Sequence, residues 1–214
     1  NKTNFLTYFI NSMIIAFGST LFSIAIASTG AYSLTRFTYP GSNIISFFIL
    51  FSYTIPVILL FVPIFLILSK IHLVNTYSGM ILANVSYCLP FEIYLLRSFF
   101  REIPLEIEEA GLVDGASRLR VLFSIVLPMA MPGIIAVSIF TFILAWNQYL
   151  LALVILQGDR MKTLPIAVAE FAGATRVQWG LIMTASTMTA LPIFIFFIFI
   201  IKKHLVGFIG GGLK

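Results

Sequence analysis

The chain contains few charged residues for its length. Only 10% of its 214 residues are Asp, Glu, Lys or Arg, whereas 60% are hydrophobic. A soluble globular domain usually has about 25% charged residues, because charge is needed to cover its surface. The composition therefore excludes an ordinary soluble domain. The net charge of +5 comes mostly from Lys and Arg beside apolar runs, which is typical of membrane topology rather than of nucleic-acid binding.

Residues that support catalysis or metal binding are also scarce. The single Cys88 excludes an internal disulfide and a cysteine cluster for zinc or iron–sulfur. His72 and His204 are expected at membrane interfaces. The sequence has no nucleophile–base set and no phosphate-binding GxxxxGK[ST] loop, since the terminal GGGLK has the wrong spacing. We therefore expect no catalytic residue, no metal site and no cofactor in this chain.

Long runs without charge occupy most of the chain. Five of them can each hold the roughly 20 apolar residues that cross a bilayer as a helix. They are residues 3–35, 37–69, 71–91, 121–158 and 177–201. Membrane β-strands would be shorter and alternating. The sequence predicts an all-α, polytopic transmembrane helical bundle. It forms one domain over residues 1–214, with spans at about 8–34, 43–69, 77–96, 132–156 and 181–201.

The basic residues divide unevenly between the two sides that five spans define. Eight of the 13 lie on one side: Arg36, Arg97, Arg101, Arg118, Arg120, Lys202, Lys203 and Lys214. The other five are Lys2, Lys70, Arg160, Lys162 and Arg176. The positive-inside rule places the larger group, with the loop 97–128 and the tail 202–214, in the cytoplasm. Because the first run is no cleaved signal peptide and begins without Met, we expect a further N-terminal segment outside this sequence.

Two features of the second and third spans leave alternatives open. Pro56 and Pro63 should kink the second span, either as packing bends or to shape a translocation path. Glu92 is expected near the cytoplasmic interface, where its carboxylate can reach water or Arg97. A proton-carrying role for Glu92 is the alternative.

Polar residues inside the third and fourth spans indicate a path for a polar solute. Asn147 and Gln148 should face protein or a water-filled cavity, as should Asn84. Amide groups and aromatic faces suit hydroxylated solutes, so we predict that Asn84, Trp146, Asn147 and Gln148 line the path. Trp146 is alternatively a packing residue.

Half of the chain's eight acidic residues are concentrated in one short stretch. They are Glu106, Glu108, Glu109 and Asp114. Pro104 suits the first position of a helix, acids suit its first turn, and Gly115 suits a left-handed cap. The stretch therefore predicts a short helix over residues 104–113, with Glu108 and Glu109 on one side.

A second helix follows the glycine. Leu119, Leu122, Phe123 and Val126 recur at helical spacing, with Arg118 and Arg120 on the polar side, until Pro128 and Pro132 end the helix. Two helices joined by a tight turn suit docking to a partner protein. The alternative, a helix resting on lipid, fits residues 119–126 but not the acids, which anionic headgroups repel.

At this point the sequence resembles a known family. Glu109-Ala110, Asp114-Gly115-Ala116, Ile125 and Leu127-Pro128 are similar to the EAA loop in permease subunits of bacterial ATP-binding-cassette importers. The version EIEEAGLVDGAS is similar to that of sugar importers of the maltose-transporter class. The resemblance extends in order to NSMIIAF, AYSLTRFTYPG, FILAWNQYLLAL, QWGLIMTASTMTALPI and LVGFIGGGLK.

The resemblance implies the fold of a type I importer permease core. It also implies that helix 104–113 docks into a cytoplasmic ATPase subunit, which binds the ATP and magnesium. Glu109 would make a charged contact, Ala110 would allow close approach and Gly115 would form the turn. The implied coupling surface comprises Glu106, Glu108, Glu109, Ala110, Gly111, Asp114, Gly115 and Ala116, supported by Pro104, Leu127 and Pro128. Gly111 departs from the usual alanine, which costs about 1 kcal/mol of helix propensity.

The implied assembly has a second permease subunit, two ATPase subunits and an extracytoplasmic sugar-binding protein. It lies in a bacterial or archaeal cytoplasmic membrane, and the terminal GFIGGGLK reaches towards the ATPase pair. We expect a sugar permease. The alternatives are a permease for glycerol phosphate, an amino acid or a polyamine, and an ion-coupled secondary transporter using Glu92 and Asn147. An intramembrane enzyme is disfavoured by the lack of paired catalytic groups.

Overall fold

The computed structural model describes residues 4–173 and 179–211, which are almost entirely helical. The helices are α1 (Phe5–Arg36), α2 (Ser42–Tyr53), α3 (Val57–Lys70), α4 (Tyr77–Arg101), α5 (Leu105–Val113), α6 (Arg118–Val121), α7 (Leu127–Met129), α8 (Met131–Trp146), α9 (Leu150–Ile155), α10 (Leu164–Gly173) and α11 (Trp179–Gly211). A π-helical turn, Leu122–Val126, makes Arg118–Met129 one continuous segment. The all-α prediction is confirmed. The predicted topology charges Lys2, Arg176 and Lys214, and the side chains of the predicted tail, lie outside the described residues.

Several of these helices are long and apolar enough to cross a membrane. Among the described residues, α1 and α4 reach that length alone, and α2 with α3 and Arg118–Met129 with α8 reach it as bent pairs. Leu164–Gly173 and Trp179–Ile195 are shorter apolar helices. The predicted number of five spans stays a prediction.

The second and fourth predicted spans are interrupted rather than continuous. A bend of 103° separates α2 from α3. It falls just before Pro56, because the residue preceding a proline is disfavoured in helical conformation. Pro63 lies inside α3 and does not end it, so one of the two prolines breaks the helix. In the fourth span, α8 ends at Trp146, and the short α9 begins only at Leu150.

Small residues on one side of α1 form the centre of the bundle. Ala16, Ser19, Ser23, Ala27 and Ala31 are buried at spacings of three or four, and α1 packs along α4 and α8. Small side chains let helix backbones approach closely where lipid provides no hydrophobic drive for association. The bundle has two ends, which we call the loop end, carrying α5, and the opposite end, carrying the loop before α10.

Candidate functional site

Helix α5 ends at Val113, as the sequence predicts, and begins one residue later than predicted, at Leu105. Pro104 is the residue before the first helical residue, not the first itself, and Asp114 follows the last. Gly115 has φ +86°. Its N–H donates to Leu112 O at 3.0 Å, and Ala116 N–H donates to Gly111 O at 3.0 Å. This is the Schellman arrangement, in which a left-handed residue closes the helix, so the predicted glycine turn is confirmed.

The outer surface of α5 combines acids with apolar side chains. Glu106, Glu109, Ala110, Asp114 and Gly115 are exposed, and Leu105, Ile107 and Val113 are exposed beside them. Val113 is 87% exposed, and a group of exposed apolar residues with a polar border is typical of an interaction site. The surface therefore has the mixed character expected of a docking site.

The inner surface of α5 packs against the second loop helix. Gly111 faces Ile125, whose Cδ1 would lie 2.7 Å from a Cβ added at Gly111. Glycine at position 111 thus permits close approach between α5 and the second loop helix. From the sequence alone, the same glycine indicates only a loss of helix propensity. In the second helix, Leu122 and Val126 are buried as predicted, but Leu119 and Phe123 are exposed. The π-helical turn shifts the buried side of the segment, and sequence periodicity of 3.6 does not anticipate it.

Glu108 does not belong to the exposed surface, which corrects the expectation that it faces a partner together with Glu109. Its side chain is 0% exposed, and Arg36 Nε donates to its Oε1 at 2.6 Å. Tyr32 Oη donates to its Oε2 at 3.2 Å. Neighbouring residues in a helix point about 100° apart, so one acid points outwards and the other inwards. We call Arg36 and Glu108 the buried ion pair.

Arg36 joins three elements at the loop end. It is the last residue of α1, and its Nη2 donates to the carbonyls of Phe100 and Ile103 at 2.8 Å each. Those carbonyls belong to the end of α4 and to the link into α5. In the sequence, Arg36 is noticeable only as a topology charge.

Glu92 lies in the centre of the bundle and not at an interface. Its side chain is 0% exposed and accepts hydrogen bonds from Ser23 of α1 and Thr141 of α8. The expected contact with water or Arg97 is therefore wrong. Two hydroxyls on neighbouring helices satisfy the buried carboxyl group, which would otherwise be costly to bury.

The predicted path residues do not lie together. Asn84 is 1% exposed and donates to Ser19 Oγ at 3.1 Å, between α4 and α1. Trp146 is 1% exposed, donates to Thr189 O at 2.9 Å and stacks on Phe142. Trp146 is thus a packing residue, the alternative that the sequence leaves open.

Asn147 lines a cavity between α10 and α11. The cavity has a volume of about 460 Å³ and is bounded by Asn147, Pro165, Val168, Ala169, Ala172, Ser186, Thr189, Ala190 and Ile193. Gln148 is half-buried beside the break after α8, where its Oε1 accepts from Leu151 N at 3.5 Å. Ser186 and Thr189 were not anticipated, because hydroxyl residues in an apolar helix do not reveal which side they occupy.

The opposite end is held by a neutral amide network. Asn11 Nδ2 donates to the carbonyls of Arg160 and Lys162 at 2.9 and 2.8 Å, and its Oδ1 accepts from Tyr77 Oη at 2.7 Å. Outside this network, Lys162 Nζ pairs with Asp159 at 2.6 Å and with Glu170 at 2.7 Å. The hydrogen bonds that Lys162 donates to these carboxylates raise the pKa of Lys162, and the same bond to Asp159 lowers the pKa of Asp159.

Comparison with known proteins identifies the class. Residues 23–206 match the family described as binding-protein-dependent transport system inner membrane component, and the chain belongs to this family. It is an integral membrane protein of the ATP-binding-cassette permease class, as the resemblance of its acidic loop implies.

Two curated relatives are similar over nearly the whole chain. The trehalose/maltose transport system permease protein MalG of Thermococcus litoralis is 33% identical over 212 residues, covering 99% of this chain and 76% of the relative. The diacetylchitobiose uptake system permease protein NgcG of Streptomyces coelicolor is 34% identical over 207 residues, covering 96% of this chain and 68% of the relative.

A solved structure shares the fold. It is a chain from a bacterial ABC transporter involved in the import of the acidic polysaccharide alginate. The TM-score is 0.81 at 23% identity, and the match covers 94% of this chain and 76% of that chain. The predicted permease bundle is thereby confirmed as the fold.

Proposed function

We propose that the chain is a membrane-spanning permease subunit of an ATP-driven sugar importer. It forms part of the translocation path and couples to a separate cytoplasmic ATPase through α5. The exposed outer surface of α5 carries the proposal, because acids beside exposed apolar side chains suit docking to a partner protein. The sugar transport named for the two curated relatives supports the substrate class.

The proposed assembly contains a second permease subunit, two ATPase subunits that bind ATP and magnesium, and an extracytoplasmic sugar-binding protein. In it, Glu109 contacts the ATPase by charge, Ala110 allows close approach, and Gly115 sets the angle of the following helix. ATP-driven closure of the ATPase pair then moves the permease pair as rigid bodies between inward-open and outward-open states.

Reversing the charge of Glu109 tests the docking surface. We expect Glu109→Lys to insert in the membrane but to lose ATPase co-purification and sugar uptake, because the contact charge becomes repulsive. The matched control is Glu102→Lys, an exposed acid of the same loop that lies outside α5. Wild-type uptake and ATPase stimulation in Glu109→Lys would refute the assignment.

We further propose that the 460 Å³ cavity is part of the sugar path. Its lining combines apolar side chains with the amide of Asn147 and the hydroxyls of Ser186 and Thr189, which suits a sugar with apolar ring faces and polar edges. Asn84 and Trp146, predicted for the same role, instead hold helices together in our proposal.

The path proposal is tested by affinity. We expect Asn147→Ala to raise the KM for sugar uptake roughly two- to tenfold, as loss of one hydrogen bond does. Asn43→Ala, an exposed amide in α2, is the matched control. An unchanged KM and unchanged sugar preference in Asn147→Ala would exclude this cavity from the path.

We also propose that the loop end is cytoplasmic, as the distribution of basic residues predicts. Glu102→Cys in intact cells should react with a membrane-permeant maleimide and resist an impermeant one. Cys88 is 3% exposed and gives little background. Labelling by the impermeant reagent would show that the loop end lies outside, contrary to the proposal.

An ion-coupled secondary transporter remains the rival function. Glu92 would be its ion-binding residue, but Glu92 contacts Ser23 and Thr141 and does not line the 460 Å³ cavity. Sugar uptake by this chain alone, driven by an ion gradient in proteoliposomes without ATPase, would favour that rival.

A further inference from the structure

The two adjacent acids of α5 point in different directions. Glu109 is exposed, whereas Glu108 is 0% exposed and bonds to Arg36 at the end of α1. α1 is the longest described span candidate with 32 residues, and it packs against both α4 and α8. A force on the outer side of α5 can therefore reach the centre of the bundle through Glu108.

The contact is directional, unlike the apolar packing around it. Both carboxylate oxygens of Glu108 are bound, one by Arg36 Nε at 2.6 Å and one by Tyr32 Oη at 3.2 Å. Tyr32 and Arg36 lie one turn apart on the same side of α1. Two bonds to one helix side fix both the position and the rotation of α5, whereas contacts such as those of Leu112 can slide.

The guanidinium also binds the backbone that leads into α5. Arg36 Nη2 donates to Phe100 O and Ile103 O at 2.8 Å each. Its side chain is only 9% exposed, so water competes little for these bonds. The end of α1, the end of α4 and α5 are thus held by one planar group, a geometry that Arg provides and Lys does not.

Resting on the function proposed above, we infer that Arg36 and Glu108 are positioning residues for transport: the buried ion pair transmits movement of ATPase-bound α5 to α1. A buried ion pair is poor evidence of net stability, since desolvation offsets its attraction, but it can fix one arrangement against others. The pair therefore serves coupling, while Glu109 serves docking.

The test uses the complete importer in proteoliposomes and measures three quantities: ATPase co-purification, ATP hydrolysis and sugar uptake. Glu108→Gln keeps the side-chain shape but removes the charge. We expect it to retain the ATPase subunits and ATP hydrolysis while the sugar imported per ATP hydrolysed falls roughly two- to thirtyfold. Glu102→Gln is the matched control, with the wild-type ratio expected.

The Arg side is tested by a conservative variant and a double variant. Arg36→Lys keeps the charge but not the planar set of donors, so we expect an intermediate ratio of sugar to ATP. A double-mutant cycle combines Arg36→Gln with Glu108→Gln. The double variant should import no less sugar per ATP than the poorer single variant, because the two residues act as one unit.

The outcomes separate the inference from the function on which it rests. Absence of ATP-dependent sugar uptake by the wild-type complex would refute both. Two outcomes would overturn the inference alone, provided that the wild-type complex transports normally. One is an unchanged ratio of sugar to ATP in Glu108→Gln, and the other is single-variant effects that multiply in the double variant. If neither Glu108→Gln nor Arg36→Lys assembles, the pair is needed for folding rather than coupling, and the inference also fails.

Discussion

The two ends of the bundle are held by different chemistry at similar distances. At the loop end, Arg36 and Glu108 approach to 2.6 Å with side chains 9% and 0% exposed. At the opposite end, Lys162 and Asp159 also approach to 2.6 Å, but Asp159 is 85% exposed. The distances are equal and the surroundings are not. Burial, rather than distance, decides how strongly an ion pair constrains the structure.

The opposite end is held by a neutral hydrogen-bond network and not by a buried ion pair. Asn11 binds two backbone carbonyls of the loop before α10 and the hydroxyl of Tyr77. An amide satisfies these groups without the desolvation cost of an ion. The loop end thus has a charged, directional link. The opposite end has a neutral link, and the Lys162 side chain beside it forms ion pairs with exposed carboxylates.

The largest effect on this comparison should come from Arg36→Met. It leaves the Glu108 carboxylate buried without its cation, so we expect the free energy of unfolding to fall by about 3–5 kcal/mol. Thermal unfolding of the purified protein in detergent measures this loss. The double variant Arg36→Met/Glu108→Leu should recover most of it, and a double variant as unstable as the single one would contradict the explanation.

The next effect should come from Asn11→Ala at the opposite end. Removing the amide leaves the carbonyls of Arg160 and Lys162 and the hydroxyl of Tyr77 without this partner, at a cost of about 1–3 kcal/mol. Hydrogen exchange in residues 157–164 should also become faster. For the exposed Asn43→Ala, the free energy of unfolding should stay within about 0.5 kcal/mol of wild type. An equal loss of stability in both variants would contradict a special role of Asn11.

A smaller effect is expected for Lys162→Met, the same type of change as Arg36→Met at ion pairs whose carboxylates are exposed. The free energy of unfolding should fall much less than in Arg36→Met, since ion pairs with solvent-exposed partners contribute little. The difference should shrink further at high salt. A loss as large as that of Arg36→Met would show that burial does not distinguish the two ends.

The smallest effect is the pH dependence of the exposed pairs. The pKa of Asp159 is lowered from 3.8 by Lys162, so its contribution is present above pH 3.8 and is lost as pH falls through the lowered pKa. The pKa of Lys162 is raised above 10.5, so its contribution is lost only as pH rises through that raised pKa.

The measurement is the difference in unfolding midpoint between wild type and Lys162→Met across pH. It should be constant between these limits and decrease in acid. Asp159→Asn should remove the part of the acid decrease that comes from Asp159. A difference that changes steadily through neutral pH would contradict these pKa directions.

Residues that break or cap helices could be interpreted from the sequence alone. Gly115 ends α5 because its φ of +86° suits a residue without a side chain. The acids at the start of α5 are likewise a local property, and the low charge content is a property of the composition. Pro56 and Pro63 show the limit, since both are prolines in an apolar run and only Pro56 lies at the bend.

Side-chain direction could not be predicted inside the apolar helices. In a helix of a soluble protein, the polar side faces water and the apolar side is buried. A span that is apolar all round contains no such signal. Asn84 and Asn147 therefore looked equivalent, although one is buried against α1 and the other lines the cavity. The sequence likewise does not reveal that Glu92 points towards Ser23 and Thr141 in the centre of the bundle.

The sequence by itself determined the membrane class, the helical loop and the family resemblance, because composition, breakers and short motifs are properties of the chain. The tertiary structure alone decided that Glu108 points inwards to Arg36 while Glu109 points outwards. The two acids are neighbours in sequence, and only the contact of α5 with Tyr32 and Arg36 of α1 establishes which of them is buried.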